Sequence, residues 1–273
     1  MRRSSPYYLA RMRGLLAALL LGTTVALAVP VDFEPYIGQD GKDVVWVPTP
    51  QPVVDAMLDL AKVKRGDVLI DLGAGDGRTV ITAALRGARA IGVEFNPDMV
   101  VLARRNAERA GVAQRVEFRQ GDLFQTDLAP ATVITMFLLP ELNVKLRPRL
   151  LQLPPGTRIV TNTFRMGNWK PDASRSVRNC DEYCMAHLWI VPARIEGSWQ
   201  TPAGVLKTRQ RYQFFSGTLG EARFADGRID GDTVRFTVGD VRYVARWTRD
   251  RLEGEARGRD AATPWSASRL ASQ

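Results

Sequence analysis

A chain of 273 residues with 45% hydrophobic and 25% charged content can bury a full core, and its length fits one α/β domain with a smaller companion. Its formal charge of +9 invites a nucleic-acid partner, but residues 1–28 carry four arginines and no acid, so the remainder falls to +5. The remaining bases are scattered, without a dense block or interleaved aromatics, so a solvated basic surface is expected and a nucleic-acid partner is not.

Basic residues up to Arg13 precede an apolar stretch over 14–28, and Ala26-Leu27-Ala28 offers a cleavage site before Val29-Pro30. Residues 1–28 thus have the layout of a secretory signal. Fifteen apolar residues are few for a membrane span; extension to Val31 gives eighteen, so an uncleaved anchor through residues 14–31 stays open. Arg2-Arg3 is followed by Ser4-Ser5-Pro6, a poor match to a twin-arginine signal.

Val53, Val54, Met57, Leu58 and Leu60 fall at helical spacing within 52–61. Val68-Leu69-Ile70-Asp71-Leu72 then reads as an apolar strand ending in a carboxylate, and Gly73-Ala74-Gly75-Asp76-Gly77 as a glycine turn into a helix over 78–85. A second strand over 90–94 ends in Glu94; Asn96-Pro97 opens the next helix, which over 99–110 turns Val100, Ala103 and Ala107 inward. The third strand, 115–119, runs into Gly121-Asp122-Leu123-Phe124. The apolar run 133–139, stopped by Pro140, suits a central parallel strand. A helix over 141–151 and a fifth strand over 157–164 complete the series. Strands alternating with helices of this length predict an α/β fold with a doubly wound, mostly parallel sheet and a ligand beyond the strands' carboxyl ends.

After about residue 190 the pattern changes. Residues 206–214 alternate, with Thr208, Gln210 and Tyr212 on one face and Lys207, Arg209 and Arg211 on the other. Residues 234–238 and 241–245 read as a hairpin around Gly239-Asp240, with further turns at Asp226-Gly227, Gly231-Asp232 and Gly254. A small antiparallel sheet or barrel over 191–273 is expected, after an α/β domain over 29–190.

The glycine turn carries the chemistry. Glycines let the backbone bend sharply and let a ligand lie against main-chain N–H groups. A dinucleotide fingerprint would place its third glycine at 78, where the residue is Arg78, so a nicotinamide cofactor is disfavoured. Asp76 would repel a pyrophosphate and suits a cationic ligand. Glu94, 23 positions after Asp71, is placed to accept from ribose hydroxyls, and Asp122 from an adenine amino group, with Phe95 or Leu123 on the ring.

Asp71 to Gly77 resembles the acid-x-G-x-G-x-G motif of the class I S-adenosylmethionine-dependent methyltransferases, and the resemblance covers roughly residues 45–175. Val47-Pro48-Thr49-Pro50, Phe137-Leu138-Leu139-Pro140 and Asn168-Trp169-Lys170-Pro171-Asp172 resemble stretches of the family containing the ATP synthase c-subunit lysine N-methyltransferase. The resemblance implies an enzyme that uses S-adenosylmethionine on an amine, a lysine of a protein substrate, with membrane proteins among the candidate substrates. It implies cofactor contacts at Pro48, Thr49, Asp71, Gly73, Ala74 and Gly75, then at Asp76, Glu94, Phe95, Asp122 and Leu123.

Where amine methyltransferases carry an N/D-P-P-Y segment only Pro140 matches; Pro140 and Glu141 are the candidate catalytic residues, with Glu141 either the proton acceptor or orienting group or a first-turn carboxylate favoured by the helix dipole. Trp169 either walls an acceptor channel or is buried under a loop. Cys180, Cys184 and His187, spaced to share a helix face, leave free thiols or a disulfide open; no metal is expected, since zinc wants more ligands. The export signal conflicts with a cofactor found in the cytoplasm. The rival reading is therefore an exported, methyltransferase-like binding or scaffold module without catalysis.

Overall fold

The computed structural model describes residues 33–271; the signal or anchor expected over residues 1–28 and 14–31 lies outside them. Among the described residues no helix is long and apolar enough to cross a membrane.

The chain opens on helix α1 (Gln51–Leu60) and strand β1 (Val68–Leu72), followed by α2 (Arg78–Leu85), β2 (Arg89–Glu94) and α3 (Pro97–Arg109). Then come β3 (Val116–Gln120), β4 (Val133–Met136), α4 (Pro140–Leu150), β5 (Arg158–Asn162), β6 (Ala173–Ser176) and β7 (Met185–Ile190). These strands form a seven-stranded sheet in the order β3-β2-β1-β4-β5-β7-β6. The first five run parallel and β7 pairs antiparallel with both β5 and β6.

The two-residue period of the strands divides the core. Leu69, Ala90, Val133 and Val160 face one layer with α1, α2 and α3; Ile70, Ile91, Ile134 and Ile159 face the other with Leu146 and Leu150 of α4. The helix starts obey local rules. Asn96 caps α3 by accepting from the Asp98 and Met99 N–H groups, and Pro97 occupies the first turn, where no N–H is needed.

A second body follows: β8 (Gly197–Thr201), β9 (Gly204–Arg211), β10 (Phe214–Leu219), β11 (Ala222–Asp230), β12 (Thr233–Val238), β13 (Val241–Thr248), β14 (Arg251–Arg257) and β15 (Ala262–Arg269). They close into an eight-stranded barrel because β15 returns to pair with β8. Its interior is aromatic, with Trp199, Phe215, Phe236 and Trp265 all buried.

Several expectations need correction. The fourth strand stops at Met136, and Phe137, Leu138 and Leu139 leave the sheet before α4. The fifth stops at Asn162 because Thr163 adopts a left-handed φ of 55°. Asp226-Gly227 and Gly254 are not turns but lie inside β11 and β14. A Cβ on Gly254 would stand 2.0 Å from the Val244 carbonyl oxygen, so that glycine serves close strand approach. The β9 alternation ends at Arg211, and Tyr212 turns the chain with φ 57°. Cys180, Cys184 and His187 do not share a helix face. The two cysteines form a disulfide in the loop before β7, and His187 lies in β7 itself.

Candidate active site

The sheet order reverses between β1 and β4, and a cavity of about 200 Å³ opens there at the carboxyl ends of the strands. Asp71 stands opposite Thr135 of β4 and accepts a 2.6 Å hydrogen bond from its Oγ1. Burial, followed by the nearby charges of Glu94 and Asp76, pushes the Asp71 carboxyl up to about 7 against the Thr135 hydrogen bond. The next three glycines have φ of 82°, 54° and 83° at Gly73, Gly75 and Gly77; Gly73 and Gly75 line the cavity floor, while Gly77 lets Phe118 and Ala103 pack against the turn.

Glu94 organises this floor. Its Oε2 accepts from the Gly75 N–H at 2.9 Å and its Oε1 from the Asn96 N–H at 3.0 Å, tying the glycine turn to the start of α3. The Gly73 and Ala74 N–H groups both donate to the Val93 carbonyl. On the other wall, Pro48 lines the cavity and Thr49 Oγ1 accepts from Asn162 Nδ2 at 3.4 Å.

Beyond β2 and β3, Phe95, Asp122 and Leu123 form one end of the cavity. Asp122 accepts from the Phe124 N–H through Oδ1 and holds Lys42 Nζ at 2.7 Å through Oδ2. The same ammonium lies 4.9 Å from the centroid of the Phe95 ring. Hydrogen bonding to Lys42 holds the Asp122 carboxyl below the usual carboxylate range. The Lys42 segment, with Trp46, covers the glycine turn: a Cβ on Gly75 would lie 2.6 Å from Trp46 Nε1.

Every residue expected to touch a cofactor lies on this wall: Pro48, Thr49, Asp71, Gly73, Ala74 and Gly75, with Asp76, Glu94, Phe95, Asp122 and Leu123. Asp76 differs from expectation in its bonding. Arg78 grips both of its oxygens, with Nη2 at 2.6 Å, and also donates to the Thr49 carbonyl, so the Asp76 carboxylate already has an ion-pair partner. Pro140 and Glu141 stand outside the wall, which stops at Leu139; both are exposed in the first turn of α4, where the helix dipole suits the acid. Trp169 does not wall the cavity. It is fully buried, and its Nε1 donates to Gln213 Oε1 at 2.9 Å under the barrel.

Sequence reasoning missed Trp46 and Tyr183, which reach the wall from segments without periodicity, and placed Phe164 in the fifth strand when it lies past the strand's end on the wall. No group of three His, Cys, Asp or Glu suited to a metal occurs among the described residues.

The donor set fits a positively charged adenosyl ligand. Asp71 is buried with only a hydroxyl for a partner, Glu94 stands beside it, and Gly73 and Gly75 leave the floor between them open to a ligand's approach. An acidic pocket on a glycine floor at this switch point defines the class I S-adenosylmethionine-dependent methyltransferases.

Comparison with known proteins narrows the class. The ANTKMT methyltransferase domain matches residues 71–173. A protein-lysine N-methyltransferase of Saccharolobus islandicus is 40% identical over 54% of this chain and 94% of its own length. Two mouse enzymes, the ATP synthase c-subunit lysine N-methyltransferase and the adenine nucleotide translocase lysine N-methyltransferase, are each 35% identical, over 46% and 53% of this chain. The chain covers 51% and 60% of those two relatives. An RNA methyltransferase of Salinibacter ruber, solved with S-adenosyl-L-homocysteine, is 54% identical over 55% of this chain and 96% of its own, with a TM-score of 0.52. The chain belongs to the family of methyltransferases that contains these protein-lysine N-methyltransferases, and S-adenosylmethionine is its cofactor.

Proposed function

We propose that this protein methylates the side-chain amine of a lysine in a protein substrate. The observation that carries the reading is the 40% identity to a protein-lysine N-methyltransferase almost all of whose length this chain covers. When bound, S-adenosylmethionine supplies an electrophilic methyl group: the amine lone pair takes the methyl carbon, the C–S electron pair stays on sulfur, and the nitrogen's proton leaves to water.

The chain's own residues supply binding, orientation and dryness, which is most of what methyl transfer asks of a protein. Glu94 has lone pairs left that would accept from ribose hydroxyls, Asp122 would hold the adenine amino group, and Phe95 and Leu123 would pack against the ring. Asp71 and the glycine turn face the cationic amino-acid end. Pro48 and Thr49 close the side toward β5.

Lys42 competes for this site, since its ammonium already occupies the space between Asp122 and Phe95. Lys42→Ala is therefore expected to tighten cofactor binding severalfold in titration calorimetry; weaker binding would make Lys42 a ligand contact instead of a competitor.

The test of function is calorimetry with S-adenosylmethionine, followed by mass spectrometry of incubated proteins for added methyl groups on lysine. Glu94→Ala, which frees the Gly75 and Asn96 N–H groups and the ribose, is expected to abolish measurable binding. If the parent protein binds no cofactor, the scaffold reading replaces the enzyme.

The Salinibacter ruber neighbour favours a second reading, RNA as acceptor. Transfer of labelled methyl groups into RNA but not protein would establish it. Export or anchoring through residues 1–28 is part of the proposal, as is a membrane protein as substrate; a topology reporter fused after Gln273 decides which side of the membrane the enzyme occupies.

A further inference from the structure

No barrel residue lines the cavity, and the barrel's own charges are distributed unevenly around its wall. On β14 Arg251 pairs with Glu253 at 3.1 Å and Arg257 with Glu255 at 3.2 Å, and on β13 Arg246 pairs with Asp232 at 2.6 Å. Strands β9 and β10 stand diametrically opposite these two in the closed order. There Lys207, Arg209 and Arg211 face outward at every second position of β9, and Arg223 joins them from β11. All four are exposed and, among the described residues, none of them forms an ion pair. Glu221, in the turn before β11, is the single acid between residues 197 and 223.

Outward residues two apart on a strand are about 7 Å apart, so the β9 cations span about 14 Å. Their cross-strand neighbours are small: Lys207 stands opposite Ser198 and Thr218, Arg209 opposite Ser216, and Thr218 in turn opposite Arg223. Arg223 therefore lies two strand spacings, about 10 Å, from Lys207. Like charges at these separations lie within about one Debye length at 0.1 M salt, so the row repels itself, and a bound polyanion relieves that repulsion. Cations on a sheet commonly guard an exposed edge, but a closed barrel has none to guard.

The shape of the face selects the kind of anion. The outside of a barrel is convex, and small hydroxyl side chains fill the spaces between these cations. It offers a nucleic-acid strand neither a groove nor a series of aromatic platforms; Phe214, its exposed aromatic, is covered by the Arg228 guanidinium at 4.8 Å. An acidic protein would need an apolar centre to seat on, which the serines and threonines do not supply. Spread cations on a smooth surface suit a plane of headgroup charge. The row ends at the turn after Arg211, where the Arg147 guanidinium of α4 lies 5.6 Å from the Tyr212 ring centroid. Because α4 starts at Pro140, directly after the cavity residue Leu139, the row leads toward the helix that leaves the cavity rim.

We propose that the outer face of β9 and β10, with Arg223 of β11, is a membrane-facing surface that binds anionic lipid headgroups through Lys207, Arg209, Arg211 and Arg223. The surface is independent of the lysine reading, since headgroup binding needs no methyl transfer. It is also distinct from residues 1–28, because an apolar segment enters neutral and anionic bilayers alike, whereas this face requires headgroup charge. Held this way, the enzyme would meet lysines of membrane proteins without an encounter in solution.

The experiment is vesicle co-sedimentation of the full chain, with phosphatidylcholine alone and with about 30% phosphatidylglycerol, at about 50 and 500 mM salt. Each Lys or Arg at an anionic surface contributes about fivefold in partition. The parent is expected to favour the anionic vesicles by roughly a hundredfold at low salt and to lose most of that preference at high salt. The triple variant Lys207→Thr, Arg209→Thr, Arg211→Thr keeps residues suited to a strand and should lose the preference. Its binding to phosphatidylcholine should not change, and an unaltered near-ultraviolet circular dichroism spectrum reports that the aromatic barrel interior is intact. The control Arg242→Thr, Arg246→Thr, Arg251→Thr removes the same net charge from the opposite face and should keep the preference. No preference in the parent, preference kept without the β9 cations, or equal loss in the control overturns the surface. Tighter binding of a uridine oligonucleotide than of anionic vesicles at equal salt, lost with the same three cations, assigns the face to nucleic acid and overturns the lipid proposal as well.

Discussion

Asp71→Asn is expected to make the protein more stable above pH 7 and much poorer at binding S-adenosylmethionine. The Asp71 carboxyl titrates at about 7 in the folded chain against an ordinary value of 3.8. Between those values the folded state holds a proton that the unfolded chain has released, so stability falls as pH rises through that window. The full cost above pH 7 is about 4 kcal/mol for a shift of this size. Asparagine removes the charge and can still accept from Thr135, but its NH2 group gains no partner, so a net gain of about 2 kcal/mol is expected at pH 8. By the same accounting the gain should vanish at roughly pH 5–6 and become a loss of about 2 kcal/mol near pH 4, where the folded aspartic acid and asparagine are both neutral and only the unpaired NH2 group remains.

Binding moves the other way, because the cationic end of the cofactor needs an ionised carboxylate. Loss of a charge-assisted contact in a dry site costs about 1.5–3 kcal/mol, or roughly ten- to a hundredfold in affinity. In the parent protein the affinity should climb about tenfold per pH unit below 7 and level off above it. Urea unfolding and calorimetry at pH 5, 6 and 8 measure both effects. A variant that lost stability at pH 8, or a flat binding profile in the parent, would mean that Asp71 is already ionised and paired in the folded chain.

Strands β1, β2 and β4 were legible because they are largely buried and read as largely apolar runs, whereas β3 at the sheet edge, with only Phe118 buried, has no such run. Asp71 and Glu94 could be placed because each lies at the end of such a run, and Asp122 because it follows Gly121. Their surroundings could not. The Arg78 that neutralises Asp76 stands two positions away in the sequence, yet spacing alone does not say that its guanidinium folds back on the carboxylate. Lys42 and Trp46 reach the cavity from a segment with no period, where hydrophobic patterning has nothing to act on.

In the barrel the Gly239-Asp240 hairpin was readable because its pairing is local. Closure was not, since it depends on two register pairs, Ser268 with Gln200 and Arg269 with Trp199, far apart in the chain. Gly227 and Gly254 misled for a related reason: glycine that admits a neighbouring strand has the same sequence signal as glycine that turns a chain. The cysteine pair stayed ambiguous because a disulfide depends on distance in the fold, and the loop bringing Cys180 to Cys184 follows no pattern.

Trp169 is where the sheet and the barrel are fastened, and Trp169→Ala should cost about 3–5 kcal/mol of stability. The indole is fully buried, stacks on Tyr212 with centroids 5.7 Å apart, and donates to Gln213 Oε1, while Trp189 Nε1 donates to the Trp169 carbonyl at 2.9 Å. Tyr212 and Gln213 form the turn between β9 and β10, and Gln213 Nε2 returns a hydrogen bond to the Lys170 carbonyl at 2.7 Å. Removing the indole leaves a cavity and strands the buried Gln213 oxygen, which adds about 1–3 kcal/mol. Trp169→Phe keeps most of the packing and loses only the hydrogen bond, so it should fall between the parent and the alanine variant in urea. Because Trp169 is not on the cavity wall, the folded alanine variant should bind S-adenosylmethionine close to normally while limited proteolysis separates the barrel from the sheet. If stability held and methyl transfer fell instead, the indole would be acting on the acceptor and the fastening would lie elsewhere, with the Arg228–Asp172 ion pair at 2.5 Å the next candidate.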